Sequence, residues 1–303
     1  MENRTYSIIG VPSAAGAHSP GVEKAPQALR AAGLADALRR RGATVDDSHG
    51  DLPLTPFSID REHRYAQNAA GVAGVARLLA GHVEAVVAGG NIPLVLGGDC
   101  TILLGVLAGR VRRQASTGLV YLDAHPDLNT PQTVLQGALD WMGMAHVLAE
   151  EGALEELTAL GPCTPLLGWD DVTFFGVVES ELSDGERRRM AAHAGRFVLA
   201  ADVADRTGAA AATAAAGLTA AHAGFIVHFD VDVVDFVDFP IADNAYQRNQ
   251  GLTLDDALTA LRVFAGSPGF GGLVVTEVNP DHTPGPAVIG DFVDGLAAAL
   301  TFL

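Results

Sequence analysis

The sequence of 303 residues is poor in basic side chains, with 19 Lys and Arg against 36 Asp and Glu, and its formal net charge is −17. This deficit argues against nucleic-acid binding, which depends on clustered Lys and Arg. Two cysteines, Cys100 and Cys163, cannot make a disulfide framework and favour a cytoplasmic protein. No uninterrupted apolar run approaches the roughly 18 residues of a membrane helix, and the first residues lack a signal-peptide pattern. We therefore expect neither a membrane nor a nucleic-acid partner.

Hydrophobic residues make up 49% of the chain and charged residues 18%, which excludes a disordered protein. Eight short apolar segments lack strict alternation, and this pattern predicts strands that are buried on both faces of a parallel sheet. They are Tyr6–Val11, the weaker and edge-like Thr44–Asp46, Pro93–Leu96, Leu119–Leu122, Val172–Val177, Phe197–Leu199, Phe225–Phe229 and Leu273–Thr276.

Longer amphipathic or Ala-rich segments lie between these strands and predict helices. They are Ala25–Arg41, Tyr65–Ala88, Thr101–Gln114, Gly185–Ala194, Ala209–Ala223, Leu254–Ala265 and Gly290–Leu303. Thr253 and Asp256 have the spacing of a capping box at the start of one of them. The alternation of strands and helices predicts one domain over residues 1–303, a three-layer α/β/α sandwich around a mostly parallel sheet of about eight strands.

Polar residues concentrate at four predicted strand ends. The segments are Gly97-Gly98-Asp99-Cys100, Asp123-Ala124-His125-Pro126-Asp127, Asp230-Val231-Asp232 and Glu277-Val278-Asn279-Pro280. Ligands bind beyond the carboxyl ends of strands in parallel α/β sheets, so we expect these side chains to converge. Several carboxylates in a partly dry site require positive charge, and divalent cations supply it. Carboxylate and imidazole ligands suit Mn, Zn, Fe or Ni better than Ca or Mg.

Each segment alone has a simpler explanation. An Asp-x-Asp after a strand is usually a turn or a helix cap, Gly-Gly-Asp is usually a turn, and Cys100 alone would be a small buried apolar residue. Their joint occurrence, each after an apolar strand, favours a metal site instead.

In order and spacing these motifs resemble those of the ureohydrolase family, the arginases and agmatinases, from about residue 6 to the C-terminus. The resemblance implies an arginase/deacetylase-like fold and a binuclear metal site. It assigns one metal to Cys100, Asp123, Asp127 and Asp230, and the other to Asp123, His125, Asp230 and Asp232. Asp123 and Asp230 would then bridge the two ions.

The resemblance also implies an activity. Family enzymes normally use two Mn²⁺ ions and hydrolyse a guanidino carbon–nitrogen bond of a small cationic substrate, with a hydroxide between the metals as nucleophile. Asp127 would orient that hydroxide, and Glu277 would pair with the guanidinium. Urea or a related amide and an amine would be released. By the same resemblance we expect a homo-oligomer, a trimer or hexamer.

Two residues depart from the family at the expected metal site. Cys100 stands where the family usually has His, and a thiolate could favour Zn, Fe or Ni or weaken one metal site. His228 replaces a small residue of the family motif, and the sequence leaves open whether it crowds the site or fills the core.

The substrate-binding segments depart further. Asn129 is retained, but Asp140 stands where arginases have a proton-shuttling His; it could relay protons or bind a cationic group. His146 is a second candidate for the shuttle, although a position on a helix surface is favoured for it. The family uses an acidic residue near 179–186 for the substrate amino group, and the sequence does not choose among Glu179, Glu181 and Asp184.

Three functions remain open at this point. The first is a metal-dependent amidinohydrolase, with Mn as the metal implied by the resemblance. The second is a pseudoenzyme that binds a ligand on the same fold. The third is a hydrolase of a formimino or other amide-like group. The remaining histidines are expected on the surface or in packing, although His18 and His282 could approach the pocket mouth.

Overall fold

A computed structural model of the protein describes residues 4–134, 136–203, 206–244 and 250–301. The strands are β1 (Thr5–Gly10), β2 (Thr44–Asp46), β3 (Ile92–Leu96), β4 (Thr117–Leu122), β5 (Val172–Val177), β6 (Phe197–Leu199), β7 (Gly224–Asp230) and β8 (Phe270–Thr276). They form one sheet in the order β2-β1-β3-β8-β7-β4-β5-β6, and every neighbouring pair is parallel. The predicted parallel sheet of about eight strands is confirmed.

Helices cover both faces of the sheet. They are α1 (Ala25–Ala31), α2 (Leu34–Arg40), α3 (Ala69–Ala88), α4 (Ile102–Arg113), α5 (Gly143–Val147), α6 (Glu155–Thr158), α7 (Asp184–Ala192), α8 (Ala200–Val203), α9 (Thr207–Ala221), α10 (Leu254–Gly266) and α11 (Pro286–Leu300). One apolar core joins α1, α2 and α8–α11 to the sheet, and a second joins α3–α6 to its other face. The central strands are buried along their whole length, so they are rich in apolar residues on both faces rather than alternating.

Three predicted helices differ from the observed ones, either by a break inside the helix or by more than two residues at an end. The segment Ala25–Arg41 is two helices, because Gly33 between them has φ = 86°, a left-handed conformation that interrupts a right-handed helix. Helix α3 begins at Ala69 rather than at Tyr65, since the preceding chain turns around the Asp60 carboxylate instead. The C-terminal helix ends at Leu300, and Leu303, the end of its predicted range, lies outside the described residues.

Helix α3 is long and apolar enough to cross a membrane by length and composition alone, among the described helices. In its most apolar window 44% of the residues are buried inside the fold, and its buried side chains belong to one of the two apolar cores. A core helix passes the same test of length and hydropathy, so this segment is weak evidence for a membrane span.

The capping box predicted at Thr253 gives a first test of the fold. Thr253 Oγ1 accepts the backbone N–H of Asp256 at 3.1 Å and begins α10. We expect Thr253→Ala to lower the free energy of unfolding by about 1 kcal/mol, measured by urea denaturation, because an N-cap partner is lost. Thr213→Ala, which removes an exposed hydroxyl inside α9, is the control. An equal loss in both variants would contradict the capping role.

Candidate metal centre and substrate cavity

The predicted site residues meet at the carboxyl edge of the sheet, over the adjacent strands β3, β8, β7, β4 and β5. Each of five side chains is at most 5% exposed: Cys100, Asp123, Asp230, Asp232 and Glu277. The expectation that these strand ends converge is therefore met by the fold. Burial of so many acidic groups together is unfavourable unless positive charge compensates their negative charge.

The loop after β3 places Cys100 between β7 and β8. Gly98 in this loop passes so close to the β1 loop that an added Cβ would lie 1.7 Å from the Ser13 carbonyl oxygen, so only glycine fits. The backbone N–H of Cys100 donates to Glu277 Oε1 at 2.9 Å. Its thiol lies 2.9 Å from Asp230 Oδ2. Cys100 therefore contacts one carboxylate at the end of β7 and one just after β8.

The two Asp-x-His and Asp-x-Asp segments share one local conformation. Asp123 Oδ1 accepts the backbone N–H of His125 at 2.6 Å, and Asp230 Oδ1 accepts the backbone N–H of Asp232 at 2.7 Å. Each carboxylate thus closes a turn with one oxygen. The second oxygen, Oδ2 of each residue, lies among the donor atoms of the site.

Atoms that can bind a metal form two clusters in the described residues. The inner cluster, as we name it, contains Cys100, Asp123, His228 and Asp230, all buried, with donor atoms within 4.8 Å of one another. The outer cluster contains Asp123, His125 and Asp232 within the same limit. In it His125 Nδ1 lies 3.1 Å from an oxygen of Asp232. The two clusters share Asp123.

This arrangement differs from the implied ligand sets at three residues. Asp127 lies outside both clusters: its backbone has φ = 48°, and its carboxylate accepts the hydroxyl hydrogen of Tyr121. In an extended segment residues 123, 125 and 127 would point the same way, and the left-handed conformation of Asp127 departs from that geometry. His228, which the implied sets lack, lies in the inner cluster, and Asp230 lies in this cluster alone.

The electrostatics of the site follow from burial. Burial, and then the charge of neighbouring carboxylates, raises the pKa of Asp123, Asp230 and Glu277 well above the ordinary carboxyl range. Burial and Asp123 raise the pKa of Asp127 in the same direction. Burial lowers the pKa of His125, but the charge and hydrogen bonding of Asp232 outweigh it and raise this pKa well above 6.5. The site therefore favours added positive charge, from protons or from cations.

Divalent transition metals fit these residues. The buried Asp123 Oδ2 and Glu277 Oε2 have no hydrogen-bond partner in the described part of the chain. Buried acceptors without partners are costly, and a cation or a cationic ligand would satisfy them. Carboxylate, imidazole and thiol donors together are the ligands of Zn, Fe and Ni, and carboxylate with imidazole also suits Mn.

A cavity of about 600 Å³ opens over the two clusters. Its acidic lining residues are Asp127, Asp140, Glu181, Glu186, Asp230, Asp232 and Glu277. His18 and His125 also line it, and among the residues that the structure describes no Lys or Arg does. A cavity with this excess of carboxylates favours a small cationic ligand.

Comparisons with known proteins identify the family. The model of the Arginase family matches residues 4–290. The chain belongs to the arginase family. It is 34% identical to arginase-1 of Homo sapiens over 58% of this chain and 55% of that protein, and 36% identical to the arginase of Brevibacillus brevis over 61% and 60%. These alignments span less than two thirds of the relatives' lengths. The arginase structure from Bacillus caldovelox superposes with a TM-score of 0.86 at 26% identity and covers 98% of both chains.

In this arginase-family chain some of the predicted substrate-binding residues line the cavity and others lie outside it. Asn129 and Glu181 line the cavity, and Glu181 Oε2 lies 2.9 Å from His125 Nε2. Asn129 Oδ1 accepts the Ser183 hydroxyl at 3.0 Å. Asp184 and Glu179 are exposed and absent from the cavity lining. Of the three acidic candidates in this loop, the geometry favours Glu181.

Asp140 lines the cavity and pairs there with His18, which comes from the N-terminal part of the chain. His18 Nδ1 is 2.8 Å from Asp140 Oδ2, and His18 Nε2 is 3.1 Å from Asp243 Oδ2. The imidazole also stacks on Trp141, with ring centroids 5.0 Å apart. Sequence reasoning considered His18 near the pocket mouth and missed Asp243, which no motif marks. An imidazole thus lies beside Asp140 at the cavity.

The other two histidine candidates lie elsewhere. His146 is 1% exposed within α5, so its expected surface position is wrong, and its Nδ1 lies 2.7 Å from the Met142 carbonyl oxygen. Burial lowers the pKa of His146 to about 4. Neither His146 nor His282 is among the residues that line the cavity.

The ion pairs of His18 predict a pH dependence. Burial lowers the His18 pKa, but the hydrogen bond and charge of Asp140 and the charge of Asp243 outweigh it and leave the pKa above 6.5. A raised histidine pKa stabilises the fold below pH 6.5, and this contribution is lost as pH rises through the folded pKa. We expect His18→Asn to cost about 1.5–3 kcal/mol at pH 6 and progressively less above it, measured by denaturant unfolding of metal-loaded protein. His63→Asn, at an exposed pair, is the control. A cost that does not vary with pH would contradict the pairing.

Proposed function

We propose that this protein is a metal-dependent hydrolase of a guanidino carbon–nitrogen bond in a small cationic substrate. The observation that carries the proposal is the pair of ligand clusters that share Asp123 at an acidic cavity. Membership of the arginase family supports the same reaction class. Urea or a related amide would leave together with an amine.

Two divalent metal ions would be held by the inner and outer clusters. When bound, they would supply the Lewis acidity that makes a water molecule nucleophilic at neutral pH. The carboxylates of the chain hold these charges in a water-poor site, where electrostatic stabilisation is strong. Mn is the metal that the family resemblance favours, and the Cys100 thiol makes Zn, Fe or Ni the alternatives.

The side chains around the clusters would bind the guanidinium, orient the attacking water and transfer a proton. Glu277 Oε1 is fixed by the Cys100 N–H, so Oε2 is the atom left to accept from a guanidinium. Tyr121 holds the Asp127 carboxylate, which is then positioned to orient the attacking water. Asp140 and His18 would relay a proton to the leaving amine, because the pair provides a titratable group at the cavity wall.

The substrate should carry a second polar group. Glu181 and Asn129 lie on the cavity wall beside the outer cluster, where a carboxylate and an amide can bind an ammonium or hydroxyl end. The chain also differs from arginases at 136–143, which argues against plain arginine as the substrate. A cytoplasmic location, one domain over residues 1–303 and a homo-oligomer, trimer or hexamer, belong to the same proposal.

A substrate screen tests the proposed reaction. Protein loaded separately with Mn²⁺, Zn²⁺, Fe²⁺ or Ni²⁺ is incubated with guanidino, hydroxyguanidino and formimino compounds, and urea, amine and formamide are measured. Urea or a urea analogue with an equal amount of amine is the expected result. Formamide without urea would instead indicate a formimino hydrolase. Metal binding without turnover of any compound would favour the ligand-binding pseudoenzyme.

A further inference from the structure

His228 is a buried polar residue inside an apolar strand. It lies on β7 between Val227 and Phe229, is 0% exposed, and is the direct cross-strand partner of Tyr121 on β4. The two rings stack with centroids 4.4 Å apart and planes 5° from parallel. Because Tyr121 packs flat against the imidazole, the plane of the His228 ring is fixed.

One imidazole nitrogen of His228 has no partner among the described residues, and the other faces the inner cluster. Nδ1 is buried and has no hydrogen-bond partner within the described ranges. Nε2 lies 3.2 Å from the Thr276 hydroxyl, 3.5 Å from the Cys100 sulfur and 4.0 Å from Asp123 Oδ2. A residue that only fills the core would avoid the cost of a buried polar group. The position of Nε2 between a thiol and a carboxylate suggests a ligand instead.

The distances suit a small tetrahedral site. Zinc bonds of about 2.3 Å to sulfur, 2.0–2.1 Å to nitrogen and 2.0–2.2 Å to oxygen place tetrahedral donor atoms about 3.4–3.6 Å apart. In the inner cluster the Cys100 sulfur is 3.5 Å from His228 Nε2 and 2.9 Å from Asp230 Oδ2. His228 Nε2 is 4.0 Å from Asp123 Oδ2. These separations lie on both sides of the tetrahedral value, so small side-chain shifts complete the geometry.

We propose that His228 is a ligand of the inner metal ion and supplies, from β7, the imidazole that the family motif has at position 100. The proposal deepens the proposed function, since it assumes that function's metal centre. The inner ion is then bound by a thiolate, an imidazole and the carboxylates of Asp123 and Asp230. This donor set selects Zn²⁺ or another soft divalent ion, whereas the outer cluster offers only oxygen and imidazole.

The test compares metal content and cobalt spectra of the full chain. Wild-type protein loaded with Co²⁺ and desalted should hold two ions per chain and show a near-ultraviolet thiolate-to-cobalt band. His228→Ser introduces the small residue of the family motif and should hold one ion and lose the band. Loss of an outer-shell partner already lowers metal affinity by roughly 10–100-fold, and we expect the loss of a direct ligand to lower it further. His146→Ser, at an equally buried histidine outside the site, should match wild type.

A reciprocal variant separates ligation from packing. In the Cys100→His background, His228→Ser should retain two ions, because the imidazole is again present. Two ions and an unchanged band in His228→Ser alone would overturn the role of His228 and leave the proposed function standing. A wild-type chain that binds no metal would overturn both.

A measurement on unaltered protein covers the case in which His228→Ser does not fold. With ¹¹³Cd²⁺ and ¹⁵N-labelled histidine, wild-type protein should show two imidazoles coupled to cadmium, from His125 and His228. One of the two cadmium ions should also have the chemical shift of a thiolate complex. Coupling to a single imidazole would overturn the proposal.

Discussion

Chelation of the bound metal ions is expected to abolish hydrolysis and to lower the temperature of unfolding by about 10 °C. The buried carboxylates of Asp123, Asp230 and Asp232 lose their counter-charge when the ions leave. A ligand present at 1,000 times its dissociation constant stabilises a fold by about 4 kcal/mol, and in a chain of this size each kcal/mol moves the transition by about 2–4 °C. Calorimetry before and after removal of the metal, and after its return, measures both effects.

Two controls belong to this experiment. Chelator already saturated with metal should change neither activity nor unfolding temperature. Cys163→Ser removes the exposed cysteine outside the site and should respond to chelation as wild type does. An unfolding temperature that is the same with and without metal would show that the acidic residues tolerate burial by protonation alone.

Glu277→Gln is expected to reduce kcat/KM by about 10²–10³-fold with little change in metal content. The substitution keeps an oxygen to accept from the Cys100 N–H but removes the charge that faces the substrate. Truncating one partner of a buried charge pair costs about 2–5 kcal/mol, or about 30- to 5,000-fold, and the expected loss lies in the middle of that range. Steady-state kinetics with the best substrate of the screen, together with elemental analysis, measure the effect.

The matched variant is Glu179→Gln, which makes the same chemical change at an exposed position outside the cavity. It should leave kcat/KM within a factor of about two, because exposed charges contribute little. If Glu277→Gln retained full activity, Glu277 would not be the partner of the guanidinium, and Glu181 or Asp140 would become the candidates.

The sequence predicted the sheet well because buried parallel strands have a strong local signal. Even the short edge strand Thr44–Asp46 and the strand Val172–Val177 have the predicted bounds. The convergence of Asp123, Asp230 and Glu277 followed from their positions just after such strands, since parallel strands end at one edge. These predictions needed only local pattern and general topology.

What the sequence could not predict depends on contacts between distant segments. His18 and Asp243 meet across 225 positions of the chain, and no local pattern marks either residue. Asp127, which lies outside the donor clusters, has a left-handed conformation that its local sequence does not mark. His228 did carry a signal, an imidazole within an apolar strand, but one strand alone cannot show that Cys100 lies opposite it.

The position of β8 constrains when the site can form. This strand is among the last elements in the chain, yet it lies at the centre of the sheet, where it joins β2-β1-β3 to β7-β4-β5-β6. Until residues 270–276 have left the ribosome, Cys100 and Asp230 belong to two separate half-sheets. Such non-local pairing is slow to fold and exposes strand edges meanwhile. Ligation of the inner ion by Cys100 together with Asp230 must therefore follow synthesis of residues 270–276, and truncation before β8 would leave two half-sheets with exposed strand edges.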